Sequence, residues 1–159
     1  MKVGIVVYSQ TGNTRGVGQK LREALIAAGH EAVYEDVQLA RPREGGSREF
    51  KLGPTPQVAG HDLLVFGAAV EAFSLSPVLA QCLRNIDSLD GKRVACLVTQ
   101  AFPYRWLGGN RALRQMRRLC EAKGARVVAG EVVNWMGAGL EARIERAVRS
   151  LVAVLGNRA

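Results

Sequence analysis

The chain has 159 residues, 48% of them hydrophobic, with a formal net charge of +8 and a pI near 10.0. That length fits one domain, residues 1–159, able to bury a real core, and that hydrophobic fraction excludes a disordered chain. The longest apolar runs, such as residues 63–70, are too short to span a bilayer, and the N-terminus lacks a signal-peptide layout, so no membrane insertion and a cytoplasmic location are expected.

Residues 2–8 read as a buried strand dominated by β-branched side chains. Residues 14–28 read as a helix, with Val17, Leu21, Leu25 and Ala28 on one face and Gly29 as its stop. Residues 31–38 alternate in part and suggest a second strand. The stretch 40–58 carries Pro42, Gly45, Gly46, Gly53, Pro54 and Pro56 and reads as a coil crossing. Its charges, Arg41, Arg43, Arg48 and Lys51 against Glu44 and Glu49, leave it readable as a lid, a partner contact or an irregular cover over the sheet. Residues 62–69 form a third buried strand. Ser76 suits the cap of the next helix and Pro77 its first position, with Val78, Leu79, Cys82, Leu83 and Ile86 as the apolar face. A fourth strand covers 92–99, a helix runs from about Asn110 to Lys123 before Gly124, and a fifth strand covers 126–135. The last helix, from about Leu140 to Leu155, has the cleanest period, through Ile144, Ala147, Val148, Leu151 and Val152.

Strand and helix alternate, with one helix missing between the second and third strands. Near-continuous apolar strands mean that both sheet faces are covered. The expected class is α/β, a doubly wound parallel sheet of five strands. Cys82, Cys96 and Cys120 stand far apart without CxxC spacing, which argues for buried thiols and against disulfides or zinc. His30 and His61 fall at strand starts, away from the carboxyl ends where such sheets bind ligands, and are not expected to be catalytic.

One such carboxyl end carries SQTGNT, residues 9–14, leading into a helix. Backbone N–H groups at a helix N-terminus lack partners and attract an anion, helped by the helix dipole. Ser9, Thr11, Asn13 and Thr14 add donors, and Gly12 lets the backbone approach closely. The chemistry is that of a phosphate cradle built from neutral donors. No GK[ST] follows, and Gly12, Gly16 and Gly18 are wrongly spaced for GxGxxG. An ordinary turn capped by Thr or Asn is the other reading of the loop alone.

A first strand followed by S/T-x-T-G-x-T resembles the phosphate loop of the flavodoxins, which bind FMN. Ser9, Thr11, Gly12 and Thr14 fill that pattern. The resemblance extends along the chain and implies the strand order 2-1-3-4-5. It assigns the phosphate to Ser9, Gln10, Thr11, Gly12, Asn13 and Thr14. It assigns the flavin ring to two further loops. Ala69, Val70, Glu71, Ala72 and Phe73 follow the third strand; Gln100, Ala101, Phe102, Pro103, Tyr104, Trp106, Gly108 and Gly109 follow the fourth. Aromatic faces suit stacking on a flat ring. Many flavodoxins place Trp or Tyr where this chain has Val70, Glu71 and Ala72, so stacking on one face is expected, with Tyr104 one candidate. Asn134 and Trp135 end the fifth strand at the crevice border, core packing being the preferred reading of Trp135.

The implied function is an FMN-dependent carrier of electrons between redox protein partners. A small NAD(P)H-dependent FMN reductase acting on quinones or similar acceptors is the first alternative, and a non-redox binding module on the same fold the second. Flavodoxins are usually acidic, and this chain is basic, which weakens any transfer of their partner preferences. Arg111, Arg114 and Arg118 recur at helical spacing beside Arg117, and segment 103–126 holds seven cations against Glu121. That stripe suits an acidic partner or a phosphorylated nicotinamide, or is a solvated helix face. Arg105, if it faces the ring, implies a less negative flavin couple; pointing to solvent is the equal alternative. No nucleic-acid motif accompanies the charge, so nucleic acid is not expected.

Overall fold

The computed structural model describes residues 1–157. The elements are β1 (Lys2–Val7), α1 (Asn13–Ala27), β2 (Glu31–Asp36), β3 (Leu63–Glu71), β4 (Ser74–Leu75), α2 (Pro77–Asn85), β5 (Arg93–Gln100), α3 (Gly109–Ala122), β6 (Arg126–Asn134) and α4 (Leu140–Leu155). The main strands are parallel and ordered β2-β1-β3-β5-β6, the expected 2-1-3-4-5 once the short β4 is counted. β4 has no counterpart in the sequence reading. It folds back antiparallel on the end of β3, pairing Val70 with Leu75 and Glu71 with Ser74.

Alternation along β1 sorts the core into two layers. Val3, Ile5 and Val7 pack with Val17, Leu21 and Leu25 of α1 and with Ile144, Val148 and Leu151 of α4. Val6 and Tyr8 face the other way, toward Val78, Leu79 and Leu83 of α2 and Ala112 and Met116 of α3. Ala28, expected on the buried face of α1, is its exposed C-cap. Ser76 does occupy the N-cap of α2, but its hydroxyl is buried and makes no capping bond.

The segment between β2 and β3 holds no helix and serves as a cover. Leu39, Phe50, Leu52 and Val58 pack against the α2/α3 layer, and Leu39 bridges to Leu52. The three thiols are buried. Burial pushes Cys82 up to about 12, and a hydrogen bond with Cys96 together with burial raises Cys120, so neither offers a thiolate near neutral pH. Among the described residues, no helix is long and apolar enough to cross a membrane.

His61, just before β3, lies against Gly4, where an added Cβ would meet its ring carbon at 2.9 Å. Its Nδ1 is buried without a partner. Burial, then the charges of Lys2 and Lys92, lower its pKa below the ordinary 6.5. The folded state therefore resists a proton that the unfolded chain accepts. Stability is full above about pH 6.5 and declines as the pH falls below it. Urea midpoints measured between pH 7.5 and 5.5 should drop for the wild type, and His61→Gln should flatten most of that slope.

Candidate functional site

The carboxyl ends of β1, β3, β5 and β6 open on a crevice of about 510 Å³. Its wall contains Ser9, Gln10, Thr11 and Thr14 from the first loop, Ala69, Val70, Glu71 and Ala72 from the second, and Ala101 from the third. Three loops distant in sequence thus converge, as sheet order demands of neighbouring strand ends.

The first loop is organised by Ser9. Its Oγ accepts the N–H groups of Gly12 at 3.1 Å and Arg15 at 3.2 Å. Gly12 is the N-cap of α1 at φ 96, a left-handed conformation that suits glycine. No Thr or Asn side chain caps the helix end, as the ordinary-turn reading required. The N–H groups of Gln10, Thr11, Asn13 and Thr14 donate to no protein acceptor among the described residues. Asn13 instead turns its amide to Thr11 Oγ1 at 3.2 Å. Thr14 is buried, its Oγ1 2.7 Å from Thr99 Oγ1. Gly67 allows this approach, since a Cβ there would lie 3.3 Å from the Thr14 methyl group.

The ring-loop aromatics are placed differently from the sequence expectation. Phe73, Phe102, Pro103, Tyr104 and Trp106 lie off the crevice wall, as do Gln100, Gly108 and Gly109 and, in the first loop, Gly12 and Asn13. Phe73 stacks with Phe102 at 6.3 Å, and Tyr104 with Trp106 at 5.7 Å, so each pair satisfies itself. Tyr104 is 57% exposed and Trp106 72%. The reason is the tight β3–β4 hairpin, whose turn residues Ala72 and Phe73 have φ 49 and 63. Positive φ at both turn positions is the type I′ pattern, usually given to Asn-Gly, and it swings Phe73 outward. Gln100 shapes the other loop by donating to the carbonyls of Phe102 and Tyr104, both at 2.7 Å. Gly108 sits at φ 112 where a Cβ would come within 3.0 Å of the Phe73 backbone, so the two ring loops pack directly.

Three wall residues escaped the sequence reading, Tyr8, Gly45 and Gly46, and a fourth, Trp135, had core packing as its preferred reading. Trp135 borders the crevice and is not core packing; its N–H donates to the Gln100 carbonyl at 2.9 Å. The two glycines arrive from the crossing segment, held there by Arg43. Its Nη2 donates to Glu71 Oε1 at 2.7 Å and its Nη1 to Oε2 at 3.1 Å. Nη1 also reaches Gln10 Oε1 at 3.3 Å, and Nε donates to the Ser47 carbonyl at 2.7 Å. The guanidinium lies 6.0 Å from the Tyr8 ring centre and 5.8 Å from that of Phe50. The Arg43 side chain is 1% exposed, and its hydrogen bond to Glu71 is the main cause of a raised pKa. Gln10 closes the arrangement by donating to the Gly45 carbonyl at 2.5 Å. Only the charge of Arg43 within a glycine-rich stretch hinted at this in the sequence.

No family model matches the chain, and no curated protein matches it in sequence. Solved structures do match it in shape. Oxidised flavodoxin 1 from Bacillus cereus is similar with a TM-score of 0.71 over 100% of both chains, at 17% identity. A mutant flavodoxin from Pseudomonas aeruginosa has a TM-score of 0.69 at 17% identity, covering 99% of this chain and 100% of its own. A flavoprotein from Lactobacillus acidophilus NCFM, solved in complex with FMN, has a TM-score of 0.65 at 14% identity, over 82% of this chain and 92% of its own.

The fold is flavodoxin-like. Within it, the α3 arginines split between two surfaces and do not form one stripe. Arg111 and Arg118 face α2, whereas Arg114 and Arg117 face β6, where Arg117 pairs with Glu121 at 2.7 Å. Arg105 lies off the crevice wall and donates to Asn110 Oδ1 at 3.2 Å.

Proposed function

We propose that the crevice binds FMN and that the protein carries electrons between redox protein partners. The observation that carries this reading is the end of α1. Free N–H groups at Gln10, Thr11 and Thr14, with hydroxyls at Thr11 and Thr14, open on a crevice of about 510 Å³ in a flavodoxin-like fold, and the free N–H of Asn13 lies between them in the same loop. An uncharged donor set of this kind fits a phosphate group, and the volume lies within the usual range for cofactor sites.

In this reading Ser9, Gln10, Thr11, Gly12, Asn13 and Thr14 hold the phosphate, Ser9 and Gly12 by setting the loop and the others by donating to it. Ala69, Val70, Glu71, Ala72 and Ala101 border the ring, together with Tyr8 and Trp135, whose flat side chains stand on the same wall. Bound FMN supplies the one- and two-electron chemistry; the protein binds it, orients it and limits its access to water. The exposed pairs Phe73–Phe102 and Tyr104–Trp106 flank the ring loops and give a partner an aromatic surface, with Arg105 beside it. The positive net charge supports an acidic partner.

Freshly purified protein should be yellow, and apoprotein should quench FMN fluorescence at one equivalent. A colourless protein that leaves FMN fluorescence unchanged would sink the reading. Rapid NADPH oxidation by the loaded protein would favour the reductase alternative.

A further inference from the structure

A second cavity of about 530 Å³ lies between α2 and α3, closed at one end by β4 and the crossing segment. It is lined by four arginines: Arg48 from the crossing segment, Arg84 from the end of α2, and Arg111 and Arg118 one above the other on α3. None of these guanidinium groups donates a hydrogen bond or forms an ion pair among the described residues. Arg15, Arg43 and Arg117, by contrast, each pair with a carboxylate. The one acid on the cavity wall, Glu71, is already engaged by Arg43. The floor is apolar, built from Leu75, Ala80 and Leu119. Gln115 on the wall accepts the Leu75 N–H at 2.8 Å through Oε1, which leaves its amide NH₂ as a free donor.

Four like charges around one concavity repel each other, and no internal counter-charge relieves them. Guanidinium forks match phosphate oxygens in bidentate geometry. An apolar floor beneath a cationic rim takes an amphipathic anion better than a bare one. The geometry points to a binding site for a nucleotide-sized organic phosphate carrying at least two negative charges. Its apolar portion rests on Leu75 and Leu119, and its phosphates engage Arg84, Arg111 and Arg118. The concave shape favours this occupant over an acidic protein surface. The site is separate from the phosphate loop and shares with the first cavity only Gly46, Glu71 and Ala72, so it does not depend on FMN being the first ligand.

Calorimetric titration of the purified protein, loaded with one equivalent of FMN and freed of excess, should use adenosine 2′,5′-bisphosphate as the probe, with adenosine and inorganic phosphate as controls. The expected result is one saturable site for the bisphosphate, markedly weaker signals from both controls, and weakening with added salt. The double variant R84A/R118A, altered only at exposed positions, should bind the bisphosphate at least about tenfold more weakly. Its FMN affinity should stay unchanged. Equal bisphosphate binding by wild type and variant would overturn the site, as would adenosine binding equally well. Arginine-dependent binding of a short polyglutamate peptide, without binding of the bisphosphate, would overturn it in favour of an acidic polypeptide. Titrating FMN into the stripped protein in parallel separates failure here from failure of the flavin reading.

Discussion

Replacing Arg43 with alanine should lower the unfolding free energy by about 3 kcal/mol, seen as a reduced urea midpoint. The figure sits at the low end for breaking a buried ion pair because Glu71 is 22% exposed and keeps some access to water. The variant removes several contacts at once: two bonds to Glu71, one to Gln10, one to the Ser47 carbonyl, and the stacking against Tyr8 and Phe50. Arg43→Met keeps an aliphatic side chain in the buried position and should recover part of the loss, which separates packing from charge. The same change should weaken FMN binding by at least about tenfold. Of the residues assigned to the phosphate, Arg43 touches only Gln10, through its side-chain oxygen. It acts by holding Gly45, Gly46 and Gln10 at the crevice wall, so it is a positioning residue. A normal urea midpoint in Arg43→Ala would refute the structural role; a normal midpoint and normal FMN affinity together would refute both.

The second large effect belongs to the phosphate loop. The double variant T11A/T14V should lose about a hundredfold in FMN affinity. That corresponds to roughly 3 kcal/mol for two hydrogen bonds to a charged acceptor. Thr14 matters through its partner. If Thr99 donates to Thr14 across their 2.7 Å contact, the Thr14 proton is free to point into the crevice. Valine keeps the shape of Thr14 but strands the Thr99 hydroxyl, so a stability loss of about 1 kcal/mol should accompany the affinity loss. Fluorescence titration and urea unfolding on the same samples separate the two. Undiminished FMN affinity in the double variant would remove the loop from the site.

Much of this fold is legible in the sequence alone. Periods of two and near four, broken by glycine and proline, placed the main strands and helices within a few residues. Pro77 opens α2 where a proline is tolerated, and the coil between β2 and β3 follows from its prolines and glycines. The donors of residues 9–14 were equally visible, because a loop between adjacent elements brings its residues together by connectivity alone.

What the sequence determined by itself is therefore local: the alternation of elements, the two-sided core, and a neutral donor loop at a helix end. Tertiary structure decided which distant side chains meet. It stacked Phe102 on Phe73 of the second loop and Tyr104 on Trp106, brought Tyr8 and Trp135 to the crevice, and joined Arg43 to Glu71 across 28 residues. It also divided the α3 arginines between two surfaces, leaving two of them beside Arg48 and Arg84. The physical reason is that periodicity reports which face of an element is buried. The path of a crossing segment and the direction of an exposed ring depend on packing between elements, and no local pattern encodes that.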